Sequence, residues 1–392
     1  MQLLDRQRAL SIPPLWRLGF RPFFLAGTLF ALLAVAFWAA LLQGLLPAPT
    51  VPGGLLAWHR HEMPFGFGLA IIAGFLLTAV QSWTGRPGLS GRPLLALFVL
   101  WLVARLAWFG GTPLALLIGL QLAFVLLFGV LLGRQLVAAR QRNNYPILLL
   151  VALLGLCQAL TLAGLAGGND EWQQRGTLAA LWLIAAMLGM IGGRVIPFFT
   201  QRGLGRVEAF AAHPWLDRLL LATSLLVAAL FASGHNLQAQ PWLAAPFAVL
   251  TALHAQRLWR WHLRGIWQVP LLWSLHLAYA WLALAALGMA AWHLGWLAQP
   301  SLASHALGVG AMGGMILAMM ARVSLGHTGR PLQPARAMSW AFALLNLGAL
   351  LRVAAGAGWL WLAALCWALA FALFLRHYSA LLCQPRVDGH PG

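Results

Sequence analysis

Residues 61–87 read HEMPFGFGLAIIAGFLLTAVQSWTGRP, and this stretch decides the fold class. Its apolar run is about twenty residues long, the length at which an α-helix crosses a hydrocarbon core about 30 Å thick. A transmembrane β-barrel would instead show alternating segments of about ten residues. The stretch therefore predicts a membrane-spanning helix and an all-α fold.

Similar apolar runs fill most of the 392-residue chain, which is 61% hydrophobic and only 8% charged. Soluble domains usually contain about 25% charged residues, so the composition indicates a polytopic membrane protein with the lipid bilayer as its main solvent. We predict a single transmembrane domain, 1–392, of about twelve helices, at residues 20–44, 58–81, 93–109, 113–133, 145–166, 176–199, 214–232, 241–261, 268–292, 303–321, 334–353 and 357–382.

The arginines set the predicted orientation. All 25 basic residues are Arg, and with a cytoplasmic N-terminus 21 of them fall on inside segments. The other four are Arg60, Arg105, Arg175 and Arg352. This bias predicts that both termini face the cytoplasm. The net charge of +18 therefore reflects topology, and no nucleic acid is expected as a partner.

The quoted stretch has a counterpart near the C-terminus. From His305 the chain reads HALGVGAMGGMILAMMARVSLGHTGRP, and in both segments Thr-Gly-Arg-Pro starts 23 residues after the His. A middle copy ends GGRVIPFFTQRG and has Thr177 in place of the His. The match predicts three four-helix repeat units at about 15–140, 141–264 and 265–392.

His61 and His305 are candidate metal ligands, because they open the second and tenth spans at similar predicted depth. Two neutral imidazoles on neighbouring helices can hold the iron of a b-type haem. Glycines follow both residues and would leave space for a flat macrocycle. The alternative is that these are interfacial histidines that only form hydrogen bonds, with the glycines serving close helix packing.

The densest group of metal-capable side chains is Trp58-His59-Arg60-His61-Glu62-Met63. Histidines two apart do not share a helix face. His59 could therefore join His293 or His235 at a copper site, since imidazole suits copper. The alternative is a solvated interfacial His beside tryptophans of the membrane interface.

Several charged residues are also candidates. Glu62 is the only carboxylate within the first four spans, and an ionisable group at membrane depth is presumed functional. It could pair with Arg60, relay a proton or cap its helix. Arg352 and Arg60 could each bind a haem propionate, or else a lipid headgroup. Arg194 is interpreted as structural, with its charge reaching the interface.

The chain contains no Walker motif, no dinucleotide-binding GxGxxG pattern, no CxxCH and no acidic pair for hydrolysis. Nucleotide-driven chemistry is therefore not expected.

Four stretches closely resemble the NnrS family: Leu18–Phe24 (LGFRPFF), Trp58–Phe67 (WHRHEMPFGF), Ala73–Gly85 (AGFLLTAVQSWTG) and Gly193–Thr200 (GRVIPFFT). The resemblance implies a bacterial inner-membrane protein that contains haem and copper and is associated with denitrification and nitric oxide stress. Nitric oxide and a redox protein are the partners it implies.

The architecture is also similar to the catalytic subunit of haem-copper oxidases. There, spans two and ten supply the axial ligands of the low-spin haem, which by position indicates His61 and His305. Thr177 and Ala303 stand where further ligands of the binuclear centre would be expected. A single haem with copper elsewhere is therefore predicted, and a full nitric oxide reductase is not.

The leading hypothesis is a haem-binding membrane protein that relieves nitrosative stress, by electron transfer or by handling metal and nitric oxide near the periplasmic side. The alternative is a transporter or metal-handling protein without redox turnover, in which the repeats and intramembrane histidines form a substrate path. A membrane sensor or assembly factor is less consistent with the short loops.

Overall fold

The computed structural model describes residue 7, residues 9–354 and residues 357–390, and within this part the chain is helical without any β-strand. Twelve long helical segments follow one another. They are α1 Phe20–Leu42, α2 Gly54–Thr84, α3 Arg92–Leu106, α4 Leu114–Ala138, α5 Tyr145–Ala166, α6 Asp170–Gly203, α7 Pro214–Ala232, α8 Ala244–Trp261, α9 Pro270–His293, α10 Pro300–His327, α11 Arg336–Ala354 and α12 Leu360–Cys383.

Ten of these described helices are long and apolar enough to cross a membrane. The exceptions are α3, which has only 15 residues, and α8, which includes His254, Arg257 and Arg260 among its 18 residues. Fifteen residues rise about 22 Å, short of a full hydrocarbon core. The all-α, polytopic membrane fold is confirmed. The orientation stays a prediction, and two of its inside arginines, Arg6 and Arg8, lie outside the described residues.

The two helices that carry the matched histidines share a backbone irregularity. In α2, an α-helical start Gly54–His61 is followed by a π-helical stretch, Glu62–Gly68. In α10, Pro300–His305 is followed by a π-helical stretch, Ala306–Gly313. Each π-helix begins directly after the matched His. Such wider turns are rare and occur frequently at functional sites.

The described part of the chain forms two compact units. Unit 1 contains the described residues up to Gln173, together with Met320–Gln333 and the described residues from Phe371 onward. Unit 2 contains Gln174–Met319 and the described residues of Pro334–Ala370. The organisation into three four-helix repeats stays a prediction.

Unit 1 is held together by a close crossing of α1 and α2. A Cβ at Gly74 would lie 2.8 Å from Phe23 Cβ and 3.2 Å from the carbonyl oxygen of Gly19, so only glycine fits there. The backbone N–H of Phe20 donates to Thr78 Oγ1 at 2.9 Å. The motifs LGFRPFF and AGFLLTA are therefore in direct contact, because small residues allow membrane helices to approach closely.

Unit 2 uses glycines of α10 in the same way. A Cβ at Gly310 would lie 2.3 Å from the ring of Trp281, and one at Gly314 would lie 3.0 Å from Ala278 Cβ. Both contacts pack α10 against α9. In their most apolar stretches α2 and α10 are 78% and 83% buried, more than any other described span. The two helices that carry the matched histidines are therefore the most buried of the ten described spans.

Candidate functional site

A buried ion pair forms the centre of the candidate site in unit 1. Glu62 is completely buried, and its Oε2 lies 3.1 Å from Nε of Arg105, which is 4% exposed. Trp108 Nε1 donates a hydrogen bond to Glu62 Oε1 at 2.8 Å. A buried charge needs such partners, because an unpaired ion is costly in a medium of low dielectric constant.

The cationic partner is held in turn by a second polar residue. The Nη2 group of Arg105 donates to Oε1 of Gln121 on α4, and Gln121 Nε2 donates to the carbonyl of Ala104 at 2.7 Å. Gln121 is completely buried. The side-chain amide of Gln121 therefore accepts from the guanidinium of Arg105 and donates to the backbone of α3. Both hydrogen bonds hold the charged group of Arg105 in place.

Trp101 and Arg105 explain why α3 serves this site, because residues four positions apart lie on one side of a helix. Trp108 follows two residues after the helix ends at Leu106. Trp101 Nε1 donates to the carbonyl of Gly66 at 2.9 Å, so this side packs on the π-helical stretch of α2. A Cβ at Gly66 would lie 2.7 Å from both Arg105 Nη1 and Glu62 Oε2. The glycine therefore leaves space for the ion pair in its observed position.

His61 lies next to this ion pair and is 1% exposed. Its Nδ1 lies 2.8 Å from Glu62 Oε1, and since a carboxylate can only accept, Nδ1 carries the proton. The lone pair of the neutral imidazole then belongs to Nε2. The amide Nε2 of Gln158, on α5, lies 3.2 Å from that atom and donates to it. The carboxylate therefore selects one tautomer of His61.

His305 in unit 2 has the same tautomer for a different reason. Its Nδ1 lies 2.7 Å from the carbonyl of Ser301, one turn earlier in α10, so Nδ1 donates and Nε2 carries the lone pair. Arg352, on α11, contributes to the electrostatic environment of His305. The candidate propionate-binding arginine and the candidate ligand lie in the same unit.

Arg60 and His59 have other partners than the sequence analysis suggested. Arg60 forms an ion pair with Asp170, at the start of α6, so the pairing with Glu62, one of three alternatives for that carboxylate, does not form. The side chains of Arg60 and Asp170 are both partly exposed, whereas Glu62 points into unit 1 towards Arg105. The ring of His59 stacks on Trp38 with 4.5 Å between ring centroids.

The histidines suggested for copper are placed as follows. His293 is buried, and its Nδ1 accepts from the backbone N–H of Gln240 at 3.2 Å. This hydrogen bond occupies the only lone pair of the neutral ring. His235 is exposed and its Nδ1 lies 2.8 Å from Ser233 Oγ. Among the described residues, no group of three or more His, Cys, Asp or Glu side chains could hold a metal ion. Copper binding by His59, His293 and His235 stays a prediction.

Arg194 is exposed on α6, and the interpretation that its charge reaches the interface stays a prediction. Sequence reasoning missed four residues of the site: Trp108, Arg105, Gln121 and Gln158. A signal for the last three was present, because each is a polar residue inside an otherwise apolar run. Their spacing along the chain gave no indication that Gln158 contacts His61, that Arg105 pairs with Glu62, or that Gln121 holds Arg105.

The donor chemistry of His61 and His305 fits a haem iron or another metal. Metal-ligating histidines usually donate one ring N–H to a carboxylate or a backbone carbonyl and bind the metal through the other nitrogen. His61 donates its ring N–H to a carboxylate, and His305 donates its ring N–H to a backbone carbonyl. Ligation by His61 would require Gln158 to release Nε2.

A comparison with protein-family models gives a match to the model described as NnrS protein over residues 14–386. A comparison with curated proteins found no match. The matched range contains every residue of the site in unit 1 and both matched histidines.

Proposed function

We propose, because this chain belongs to the NnrS family, that it binds haem b in a bacterial inner membrane and acts in the response to nitric oxide. At the level of the family, the protein is a nitric-oxide-related membrane protein of the haem- and copper-containing type. The finer proposal names His61 and His305 as axial ligands, and electron transfer near the periplasmic side as the activity.

The observation that carries the proposal is the hydrogen bond between His61 Nδ1 and Glu62 Oε1. This bond fixes the tautomer in which Nε2 has a lone pair, and it orients the ring. The carboxylate also makes the imidazole a stronger donor towards a metal. A His that serves only packing does not need a buried carboxylate, a buried arginine and a tryptophan N–H around it.

The roles of the other residues follow from their contacts. Arg105 compensates the charge of Glu62, so the pair is neutral and the imidazole need not be protonated. Gln121 and Trp108 hold the two charged groups in place. Arg352, near His305, is the residue proposed to bind a propionate. A haem held by two histidines would supply one-electron transfer.

Copper and the partners belong to the proposal as well. Copper is proposed near the same membrane surface, with His59 and His235 as candidate ligands. His293 would first have to release the N–H of Gln240. Nitric oxide and a redox protein that supplies or accepts the electron are the proposed partners.

The proposal is tested by an absorption spectrum of the detergent-purified protein, with iron and copper quantified in the same sample. A b-type Soret band that disappears in His61→Ala and in His305→Ala is expected. His276→Ala is a matched control, because His276 is also buried and its Nδ1 also lies 2.9 Å from the carbonyl one turn earlier, that of Leu272. The control should keep the band, since His276 is not followed by a π-helix.

A protein that contains iron but keeps its spectrum in both variants would remove the ligand assignment. A colourless protein that moves copper across vesicle membranes would favour the alternative of a transporter or metal-handling protein.

A further inference from the structure

Two motifs that the proposed function leaves without a role meet at one end of unit 1. They are LGFRPFF at the start of α1 and the second Thr-Gly-Arg-Pro, residues 328–331. Arg21 is completely buried and its Nη1 donates to the carbonyls of Leu382 and Gln384, at 2.8 and 2.7 Å. Arg330 Nη2 donates to the side chain of the same Gln384 at 3.2 Å.

Two further arginines belong to this group. Arg386 Nη1 donates to the carbonyl of His327 at 3.1 Å, and its Nε donates to Asp388 Oδ1 at 2.9 Å. Arg17 donates to the carbonyls of Ile12 and Leu10, at 2.9 Å each. Each of Arg17, Arg330 and Arg386 acts electrostatically on Arg21. We call Arg17, Arg21, Arg330 and Arg386 the arginine cluster.

Within the part of the chain that the structure describes, the arginine cluster has more positive charge and more N–H groups than its surroundings satisfy. Among the described residues, one carboxylate, that of Asp388, pairs with a member of the cluster, Arg386. Four of their buried nitrogen atoms have no hydrogen-bond partner among the described residues: Arg17 Nη1, Arg21 Nε, Arg21 Nη2 and Arg330 Nη1. Buried donors without acceptors are destabilising, and more so when they are charged.

The remaining acceptors near the cluster do not correct this excess. The backbone carbonyls named above already accept from other nitrogen atoms of the same arginines. Cys383, next to Arg21, lies at the exposed end of α12. An anion with several oxygen atoms would supply both the negative charge and the acceptors at once. Guanidinium groups bind phosphate in this way, through two parallel N–H···O hydrogen bonds.

We propose that the arginine cluster is a binding site for a phosphate-type oxyanion, supplied either by the headgroup of an anionic lipid or by free phosphate. Basic pockets at the ends of transmembrane helices bind anionic lipid headgroups through the same chemistry. In the predicted orientation, the cluster lies on the cytoplasmic side, where arginines are concentrated. The site is independent of haem binding.

The test uses the full chain in detergent and compares two sources of phosphate. The first is inorganic phosphate, titrated while thermal unfolding is followed, since a ligand that binds only the folded state raises the unfolding temperature. The second is phosphatidylglycerol, added to delipidated protein and counted by native mass spectrometry, with phosphatidylcholine as the uncharged reference. Binding of either probe is expected for the unmodified protein.

Arg330→Gln is the informative variant, because Arg21 also caps the end of α12 and its loss would affect folding. We expect Arg330→Gln to weaken the binding about tenfold, the effect of one lost charge-assisted hydrogen bond. Arg86→Gln is the matched control: Arg86 occupies the same place in the first Thr-Gly-Arg-Pro but is exposed. It removes an equal charge and should leave binding unchanged.

The outcomes of this test distinguish free phosphate from a lipid headgroup as the source of the anion. Binding of inorganic phosphate alone identifies a free anion, and binding of phosphatidylglycerol alone identifies a lipid headgroup. Binding of neither probe by the unmodified protein, or equal weakening by both variants, would overturn the proposal. If Arg330→Gln does not fold, Arg330→Lys takes its place with the same expected order, because lysine keeps the charge but lacks the planar fork.

Discussion

Arg105 Nε lies 3.1 Å from Glu62 Oε2, and these two oppositely charged side chains come from neighbouring helices into a region that neither water nor lipid reaches. Several other side chains of unit 1 contact this ion pair. Arg105 also contacts Gln121, and Glu62 also contacts Trp108 and His61. One member cannot be removed without leaving the other as an uncompensated buried charge.

Glu62→Gln should therefore be strongly destabilising. The amide keeps the shape of the side chain but removes the charge, and breaking one side of a buried ion pair usually lowers the free energy of unfolding by about 3–5 kcal/mol. The measurement is the unfolding of the purified protein in detergent, compared with the unmodified chain.

Arg60→Gln is the control for that variant. Its ion pair with Asp170 has side-chain exposures of 23% and 63%, and exposed pairs contribute about 0–1 kcal/mol. Equal losses in the two variants would contradict the view that burial makes the Glu62 pair different.

Gly66→Ala should displace the same ion pair without changing any charge. Its Cβ would lie 2.7 Å from both Arg105 Nη1 and Glu62 Oε2, so the two side chains would have to separate. We expect a loss of about 1–3 kcal/mol, as for other overpacked sites. Thermal unfolding in detergent measures it.

Gly119→Ala provides the comparison, since Gly119 lies within a helix of the same unit and its Cβ would meet nothing within 4 Å. That substitution should be neutral, or stabilising by about 0.5–1 kcal/mol from the higher helix propensity of alanine. A stable Gly66→Ala would show that the pair can rearrange around a methyl group.

Tyr279→Phe tests a second polar group, in unit 2. The Tyr279 hydroxyl accepts from Arg257 Nη1 at 2.9 Å and can donate to His254 Nδ1 at 3.0 Å. Removal of the hydroxyl leaves a buried guanidinium N–H and a buried ring nitrogen without this partner. We expect a loss of about 1–3 kcal/mol in the free energy of unfolding.

Tyr378→Phe is the matched change in unit 1. Tyr378 is also buried, but its hydroxyl has no hydrogen-bond partner among the described residues. Its removal should have little effect on stability. If the two variants lose the same amount, the hydrogen bonds of Tyr279 are not what stabilises unit 2.

Asp388 provides a prediction about pH outside the membrane. Hydrogen bonds from Arg386 hold the pKa of the Asp388 carboxyl below its usual value. The contact therefore persists as the pH falls through the usual range of an aspartate, about 3.9. It is lost only in stronger acid, when the carboxyl takes up its proton.

The measurement is a carboxyl ¹³C titration of aspartate-labelled protein, which contains only four aspartates. The Asp388 signal should titrate below the usual range, and Arg386→Gln should move its midpoint upward. A midpoint that is the same in both proteins would show that Arg386 does not hold this carboxyl.

Much of the fold could be predicted from the sequence. The twelve described helices lie where the apolar runs predicted them, because a run of about twenty apolar residues has few alternatives to a helix in lipid. The π-helices were not predicted. Gly66 and Gly310 lie within them and pack against Arg105 and Trp281, contacts between helices that no local pattern encodes.

The candidate site was predicted only in part. His61, Glu62 and His305 stand out in sequence, because polar groups inside apolar runs are rare. Arg60, two residues away, was one candidate partner of Glu62, and the partner in the structure is Arg105. Helix geometry explains the difference, because the side chains of residues two positions apart point in different directions from a helix.

The sequence by itself determined which segments leave water, because hydropathy and helix length are local properties that add along the chain. Only the tertiary structure decided how the charges inside are compensated. Glu62 and Arg105 are 43 positions apart in the chain, and Arg21 and Gln384 are separated by most of its length. A buried charge is stabilised by whatever lies within a few ångströms, and helix packing determines which residues those are.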